Sequence, residues 1–134
     1  MSREIAKEFL AKSTESLSGA VREFAAGAYN NAANRCYYAA FQAALSLLLE
    51  VRLVGQRDIR KSTHQLVRGK FANEIVKRRK LLPSVDPSDI DELASIRDQA
   101  DYVPAPVGKQ KAARAVKLSS VIVQETVTYL GTKA

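Results

Sequence analysis

The chain has 134 residues, of which 46% are hydrophobic and 26% are charged, and its formal net charge at pH 7 is +7. This length suits one domain with a single buried core, residues 1–134, and this composition excludes a disordered chain. One cysteine and one histidine cannot form a disulfide or a closed zinc site, so the sequence predicts no metal and no cofactor. The charged N-terminal run MSREIAKEF lacks the apolar core of a signal peptide and favours a cytoplasmic protein.

Helical periodicity of the apolar residues predicts five amphipathic helices, which in chain order cover residues 2–26, about 29–53, about 64–80, 87–102 and about 109–130. Their predicted N-caps are Ser2, then Ser62 or Thr63, and then Asp86, which is followed by Pro87 at the first helical position. No segment shows the β-branched alternation and hairpin turns of a sheet. The sequence therefore predicts an all-α fold, an antiparallel up-and-down bundle of about five helices with a four-helix core.

Residues 36–49, CYYAAFQAALSLLL, form the most apolar stretch of the chain. Its polar residues Gln42 and Ser46 are four apart, so on a helix they share one thin face. Such a helix must be surrounded, either by its own chain or partly by a second copy of the protein. A membrane span is the competing explanation, but the stretch is about 21 Å long as a helix and a bilayer core is roughly 30 Å thick. We therefore predict a buried helix, with Cys36 as a core residue rather than a nucleophile.

Charge is distributed unevenly along the chain. Residues 51–80 carry ten lysines or arginines against two acids, whereas residues 81–101 carry six acids against one arginine. A basic block of this density is typical of a surface that binds a polyanion such as RNA, DNA or a nucleotide phosphate, although a solvated helix face has a similar composition. His64 would begin the third helix and could equally be a capping or surface residue. The candidate nucleic-acid- or phosphate-binding residues of this block are His64, Arg68, Lys77, Arg78 and Arg79.

Two arginines lie at the edge of the predicted core. Arg35 precedes the most apolar stretch, and a buried charge needs a partner, so it could pair with an acid of another helix or bind a phosphate. Arg97 borders the apolar face of the fourth helix, four residues before Asp101, which can hydrogen-bond it on the same face. Together with Tyr102, this pair could bind a phosphate or form a salt bridge at the helix end, and the spacing is compatible with both.

The runs RCYYAAF, at residues 35–41, and RDQADY, at residues 97–102, occur in the order expected for one known family. Together they resemble the small stand-alone HEPN proteins (higher eukaryotes and prokaryotes nucleotide-binding domain), and the resemblance spans nearly the whole chain. It implies a helical bundle that forms a homodimer. Many members of the family are RNases, often toxins, whose partner protein is a minimal nucleotidyltransferase.

The resemblance also implies candidate catalytic residues. Catalytic HEPN proteins carry an Arg-x4-His motif on the penultimate long helix, which places its arginine at Arg97 and its histidine at the position of Tyr102. A histidine can exchange a proton near neutral pH, whereas a tyrosine ordinarily keeps its proton there. This departure argues against the metal-independent RNase activity that is usual in the family.

Three functions are compatible with the sequence. The favoured one is a dimeric HEPN module that binds RNA or nucleotide phosphates and is non-catalytic or weakly catalytic. The second is a metal-independent RNase toxin of a toxin–antitoxin pair. The third is an interaction partner of a minimal nucleotidyltransferase, which could modify the protein on a tyrosine.

Overall fold

The computed structural model describes residues 2–61 and 63–132, without the side chain of Ser2. Within these residues the chain forms five α-helices, a short 3-10 turn at Gln56–Asp58 and no strand. The helices are α1 (Ser2–Ala25), α2 (Tyr29–Glu50), α3 (His64–Lys70), α4 (Asp89–Tyr102) and α5 (Lys109–Gly131). The third helix continues as a π-helical segment, Phe71–Arg78, which the sequence did not predict. The predicted all-α fold is confirmed.

Polar contacts between neighbouring helices define an up-and-down arrangement. Arg3 at the start of α1 pairs with Glu50 at the end of α2, at 3.4 Å. Asn34 near the start of α2 donates a 2.9 Å hydrogen bond to Asp101 near the end of α4. The loop at residues 103–108 then returns the chain into α5, which packs against α4, α2 and α1. These four helices form the core of the bundle, and α3 with its π-helical continuation packs on α2.

The central element is α2, because it contacts α1, α4 and α5 as well as α3. Fourteen of its 22 residues are buried, and its three consecutive leucines, 47–49, are at most 1% exposed. Burial of each leucine contributes roughly 1.5–3 kcal/mol. Small residues let α1 approach closely, and the buried Ser13 hydroxyl donates a 2.6 Å hydrogen bond to the Ala39 backbone oxygen. The predicted burial of residues 36–49 is confirmed, and helices of the same chain provide it.

Among the described residues, no helix combines the length and the hydropathy that a membrane span needs.

Two helical segments end at non-glycine residues in the left-handed region of backbone space. Arg52, with φ 62°, follows α2, and Lys80, with φ 53°, follows the π-helical segment. After Arg52, the Leu53 N–H donates to the Leu48 carbonyl at 2.9 Å, which is the hydrogen bond of a Schellman motif. This turn ends α2 at Glu50, three residues before the predicted boundary.

The predicted N-caps have mixed outcomes. The Thr63 hydroxyl accepts a 3.1 Å hydrogen bond from the Leu66 N–H, so Thr63 is confirmed as the N-cap of α3. Two other predicted caps, Ser62 and the side chain of Ser2, lie outside the described residues.

The predicted start of α4 is wrong. Its N-cap is Ser88 instead of Asp86, and the helix begins at Asp89 instead of Pro87. The Asp86 carboxylate accepts the backbone N–H of Ser88 at 2.9 Å, and the Asp89 carboxylate accepts that of Asp86 at the same distance. The two aspartates therefore stabilise a turn ahead of the helix, where the sequence pattern had predicted the first helical turn.

Candidate functional site

The face of α2 that meets α4 carries a row of aromatic side chains. Tyr37, Tyr38 and Phe41 follow Asn34 at intervals of three and four residues, so all four lie along one side of the helix. The rings of Tyr37 and Tyr38 are 5.3 Å apart in an edge-to-face arrangement, and those of Tyr37 and Phe41 are 5.9 Å apart. Tyr37 is fully buried. The row thus forms a rigid aromatic floor for the charged side chains described next.

Arg97 of α4 lies over this floor. Its guanidinium carbon is 5.5 Å from the ring centres of Tyr37, Tyr38 and Tyr102, which are cation–π distances. The predicted contact with Asp101 is present as an ion pair, with Nε 3.2 Å from Oδ2. That N–H is not aligned for a hydrogen bond, and Nε has no hydrogen-bond partner.

Arg97 therefore retains unused donor capacity. A guanidinium has five N–H donors, and among the described residues the one hydrogen bond it donates goes to the Tyr38 hydroxyl, at 3.1 Å. Asp98 adds an ion pair at 3.5 Å. The Nε atom is buried, but the side chain as a whole is 19% exposed, so a ligand at the surface can reach its terminal N–H groups.

His64 begins α3 and joins the same aromatic floor. Its ring stacks on Phe41 with a centroid distance of 4.1 Å, and its Nδ1 is 2.9 Å from the Tyr37 hydroxyl. Burial lowers the pKa of His64 below its ordinary value of 6.5, and the nearby charges of Arg97 and Arg68 lower this pKa further. The imidazole is therefore neutral at pH 7.

Arg68, one turn later on α3, connects the floor to α4. It donates a 3.2 Å hydrogen bond to the Tyr37 hydroxyl and pairs with Asp91 at 3.1 Å. Burial raises the pKa of Tyr37, so this phenol keeps its proton. We call Tyr37, Tyr38, His64, Arg68, Arg97 and Tyr102 the Arg97 cluster.

Tyr102, at the position of the motif histidine, is the outer edge of the cluster. Its side chain points outward and 72% of the residue is exposed. The ring lies beside Arg97 at the 5.5 Å given above. An exposed aromatic ring next to a guanidinium can stack on a nucleobase while the cation binds a phosphate.

Arg35 lies on the rim and is exposed. Its guanidinium donates hydrogen bonds to the Asn34 amide oxygen, the shorter one 2.8 Å long, and lies 5.4 Å from the Tyr38 ring centre. The alternative that Arg35 pairs with an acid of another helix is wrong for the described residues. Because the side chain is solvated, it needs no buried counter-ion. Asp101 is linked to this rim through Asn34.

The other predicted cations are not part of the Arg97 cluster. Lys77, Arg78 and Arg79 are exposed at the end of the π-helical segment. Arg78 pairs with Glu74 of its own segment at 3.1 Å. Among the described residues, no hydrogen bond, ion pair or ring contact joins these three cations to the cluster. They form a separate surface, which we call the basic end.

A groove between α3 and α4 adjoins the cluster. It encloses about 440 Å³ and is lined by Gln65, Arg68, Gly69, Asp91, Ala94, Ser95 and Asp98. A larger groove of about 800 Å³ lies on the other side of α3, next to Leu53 and Leu66. The smaller groove includes Arg68 of the Arg97 cluster and Asp98, which pairs with Arg97. We therefore place the candidate site at the Arg97 cluster, beside this groove.

Sequence reasoning missed several members of the site. Tyr37 and Tyr38 belong to the run RCYYAAF but are not among the predicted site residues, although their spacing from Asn34 and Phe41 indicates a stripe. Asp98 is adjacent to Arg97 in the sequence and could also have been found. No local signal indicates that Asp91 pairs with Arg68, because the two residues belong to different helices.

The described residues contain no group of three or more histidine, cysteine, aspartate or glutamate side chains arranged to hold a metal ion. The chemistry available to the cluster is charge-assisted hydrogen bonding, cation–π contact and ring stacking. The molecule is thus an all-helical bundle with a tyrosine-lined arginine site suited to phosphate groups.

Comparison with known proteins gives the family. The HEPN domain model matches residues 6–128, so the chain belongs to the HEPN family. HEPN domains are generally associated with RNA binding or RNase activity, and they commonly form dimers. No curated protein matches the chain.

Proposed function

We propose that this protein binds RNA at the Arg97 cluster, with Arg97 contacting a phosphate and Tyr102 stacking on a base. The observation that carries the proposal is the combination of a guanidinium with a single hydrogen bond to the described residues and an exposed tyrosine ring 5.5 Å from it. Phosphate contacts supply affinity, and stacking on aromatic rings is the usual way in which proteins hold single-stranded bases.

Binding is favoured over cleavage by the chemistry of the neighbouring groups. Strand cleavage without a metal needs a group that exchanges a proton near neutral pH, and Tyr102 stands where the catalytic members of the family have their histidine. A weak RNase activity is the second candidate. It is favoured by one observation, the position of His64 on the same aromatic floor as Arg97.

The proposed form is a homodimer. Val103, directly after Tyr102, is 49% exposed, and the loop from it to Pro106 is exposed as well. Pairing through this apolar end of α4 would place two Arg97 clusters near each other. Val103→Glu should then give a monomer in light scattering. A dimeric mass of this variant would place the interface elsewhere, and a monomeric mass of the unchanged protein would overturn the proposed dimer.

Two further predictions concern the partner protein, which the family resemblance implies, and the location, which the charged N-terminal run favours. A minimal nucleotidyltransferase as partner is tested by co-purification with this chain, and a cytoplasmic location is tested by fractionation.

The test of RNA binding uses fluorescence anisotropy with a labelled single-stranded RNA at several salt concentrations. Arg97→Ala should weaken binding about tenfold and reduce the salt slope by about one, because one phosphate contact is lost. Tyr102→Ala should weaken it by about five- to a hundredfold through lost stacking. The matched control is Arg22→Ala, since Arg22 is an exposed arginine of α1 whose guanidinium contacts Ser18.

The outcomes separate the candidate functions. Absent or salt-insensitive binding, or equal affinities of the Arg97→Ala and Arg22→Ala proteins, would overturn the proposal. RNA fragments that appear with the unchanged protein and not with Arg97→Ala would favour the RNase. A double change of Arg78 and Arg79 to glutamate tests whether RNA also reaches the basic end.

A further inference from the structure

The tautomer of His64 follows from the hydrogen bonds at the Tyr37 hydroxyl. Arg68 can only donate, and its N–H is directed at the Tyr37 oxygen at 3.2 Å. The hydroxyl proton is then free to point at His64 Nδ1, 2.9 Å away. If Nδ1 carried the proton instead, two donors would converge on this oxygen, and its own buried proton would have no acceptor among the described residues. The arrangement therefore fixes Nδ1 as an acceptor and places the imidazole proton on Nε2.

The groups that face His64 disfavour protonation of the neutral imidazole to the charged imidazolium. On α2 these are Tyr37, Tyr38 and Phe41, which stack or hydrogen-bond with the ring. The charged groups that act on it are Arg97 of α4 and Arg68 of its own helix, and both are cations that lower its pKa. A doubly protonated ring would lose the bond from Tyr37 and add a third positive charge.

Nε2 is the unused end of this ring. Among the described residues it makes no hydrogen bond, and the residue is only partly buried. A fixed N–H donor beside two guanidinium groups is complementary to a phosphate oxygen, which is an acceptor only.

We propose that His64 is a ligand-contacting residue that donates its Nε2–H to an RNA phosphate oxygen, and that Tyr37 and Arg68 are the positioning residues that hold this tautomer. The proposal rests on the proposed function, since it assigns a further contact for the same RNA. It gives the histidine a binding role without proton transfer, because a neutral ring with a proton on Nε2 cannot accept one there. The Arg97 cluster then offers donors from two helices, α3 and α4, to one phosphate.

The first test is nitrogen NMR of the imidazole in protein without a histidine tag. The chain has one histidine, so the signals need no assignment. At pH 7 we expect a protonated Nε2 and an unprotonated Nδ1 that accepts a hydrogen bond. Tyr37→Phe should shift the ring toward a mixture of tautomers, whereas Tyr29→Phe, at a tyrosine that packs against Phe24 with tilted rings, should leave the spectrum unchanged. A proton on Nδ1 or a charged ring at pH 7 would overturn the proposal.

The second test compares two replacements of His64 in RNA binding. His64→Phe keeps a ring to stack on Phe41 and removes the donor, so binding should weaken about ten- to a hundredfold, the effect of losing one hydrogen bond to a charged group. His64→Gln places an amide N–H near the position of Nε2 and should bind about fivefold more tightly than His64→Phe. The affinity of the unchanged protein should stay constant between about pH 7 and pH 8, since the ring is neutral throughout.

The outcomes distinguish this proposal from the proposed function. RNA binding that is unaffected by His64→Phe, or equally poor in both variants, would overturn the role of His64 and leave Arg97 in place. Cleavage that is lost in His64→Gln would mean that the ring transfers protons, which also overturns it. Absence of RNA binding by the unchanged protein would overturn both.

Discussion

Replacing Tyr37 by phenylalanine removes one buried hydroxyl and keeps the ring that forms the aromatic floor. The hydroxyl accepts from Arg68 at 3.2 Å and donates to His64 at 2.9 Å. A neutral hydrogen bond contributes about 0.5–1.5 kcal/mol and one to a charged group about 1.5–3 kcal/mol. Arg68 keeps its ion pair with Asp91, and the partly exposed imidazole can bind water, so part of this loss is recovered. We therefore expect Tyr37→Phe to lower the free energy of unfolding by about 2 kcal/mol.

The assay is urea unfolding followed by circular dichroism. For slopes of about 1–3 kcal/mol per molar urea, a loss of about 2 kcal/mol lowers the midpoint by about 1 M. Tyr29→Phe is the matched control, because its hydroxyl has no hydrogen bond in the described part of the chain, and its effect should stay within about 0.5 kcal/mol. An equally small effect of Tyr37→Phe would refute the view that this hydroxyl holds α3 on α2.

Three further predictions concern stability. The pKa of His64 is lowered below 6.5 in the folded protein, so below that pH the unfolded chain binds a proton that the folded protein does not. The urea midpoint of unfolding should therefore decrease as the pH is lowered from about 6.5 to about 5, and His64→Gln should remove this part of the pH dependence. Lys80→Gly should raise the free energy of unfolding by about 1 kcal/mol, since φ is 53° there, whereas Arg79→Gly, at φ −87°, should lower it by about 1 kcal/mol. Leu48→Ala should cost about 3–5 kcal/mol in denaturant unfolding, because Leu48 is 0% exposed; a loss below about 1 kcal/mol would contradict the central position of α2.

The helices were predictable because each has a local signal. The apolar run of residues 36–49 predicted the buried helix, and the spacing of Arg97 and Asp101 predicted their contact on one face of α4. Boundaries were less accurate where the chain uses unusual backbone. The left-handed residues Arg52 and Lys80 occupy positions that usually carry glycine, so no glycine marks the end of the helix there.

Only part of the candidate site could be predicted. The family resemblance indicated Arg97 and Tyr102, but it said nothing about the floor beneath them. The contact between His64 and Tyr37 joins residues 27 positions apart, and it depends on the path of the connector between α2 and α3. That path is decided by tertiary packing, which no periodicity in the sequence reports. The spacing in the sequence shows the stripe from Asn34 to Phe41, but it does not show that His64 packs against this stripe.

The buried thiol of Cys36 can report how often the helix bundle opens locally. The thiol is 0% exposed, it is the one cysteine of the chain, and burial raises its pKa. Its neighbour along α2 is Tyr37, so a thiol reagent can reach it only when the helix that carries the aromatic floor moves away from its neighbours. The rate of covalent labelling therefore measures how often this helix opens. A ligand that ties α3 and α4 together should slow the labelling.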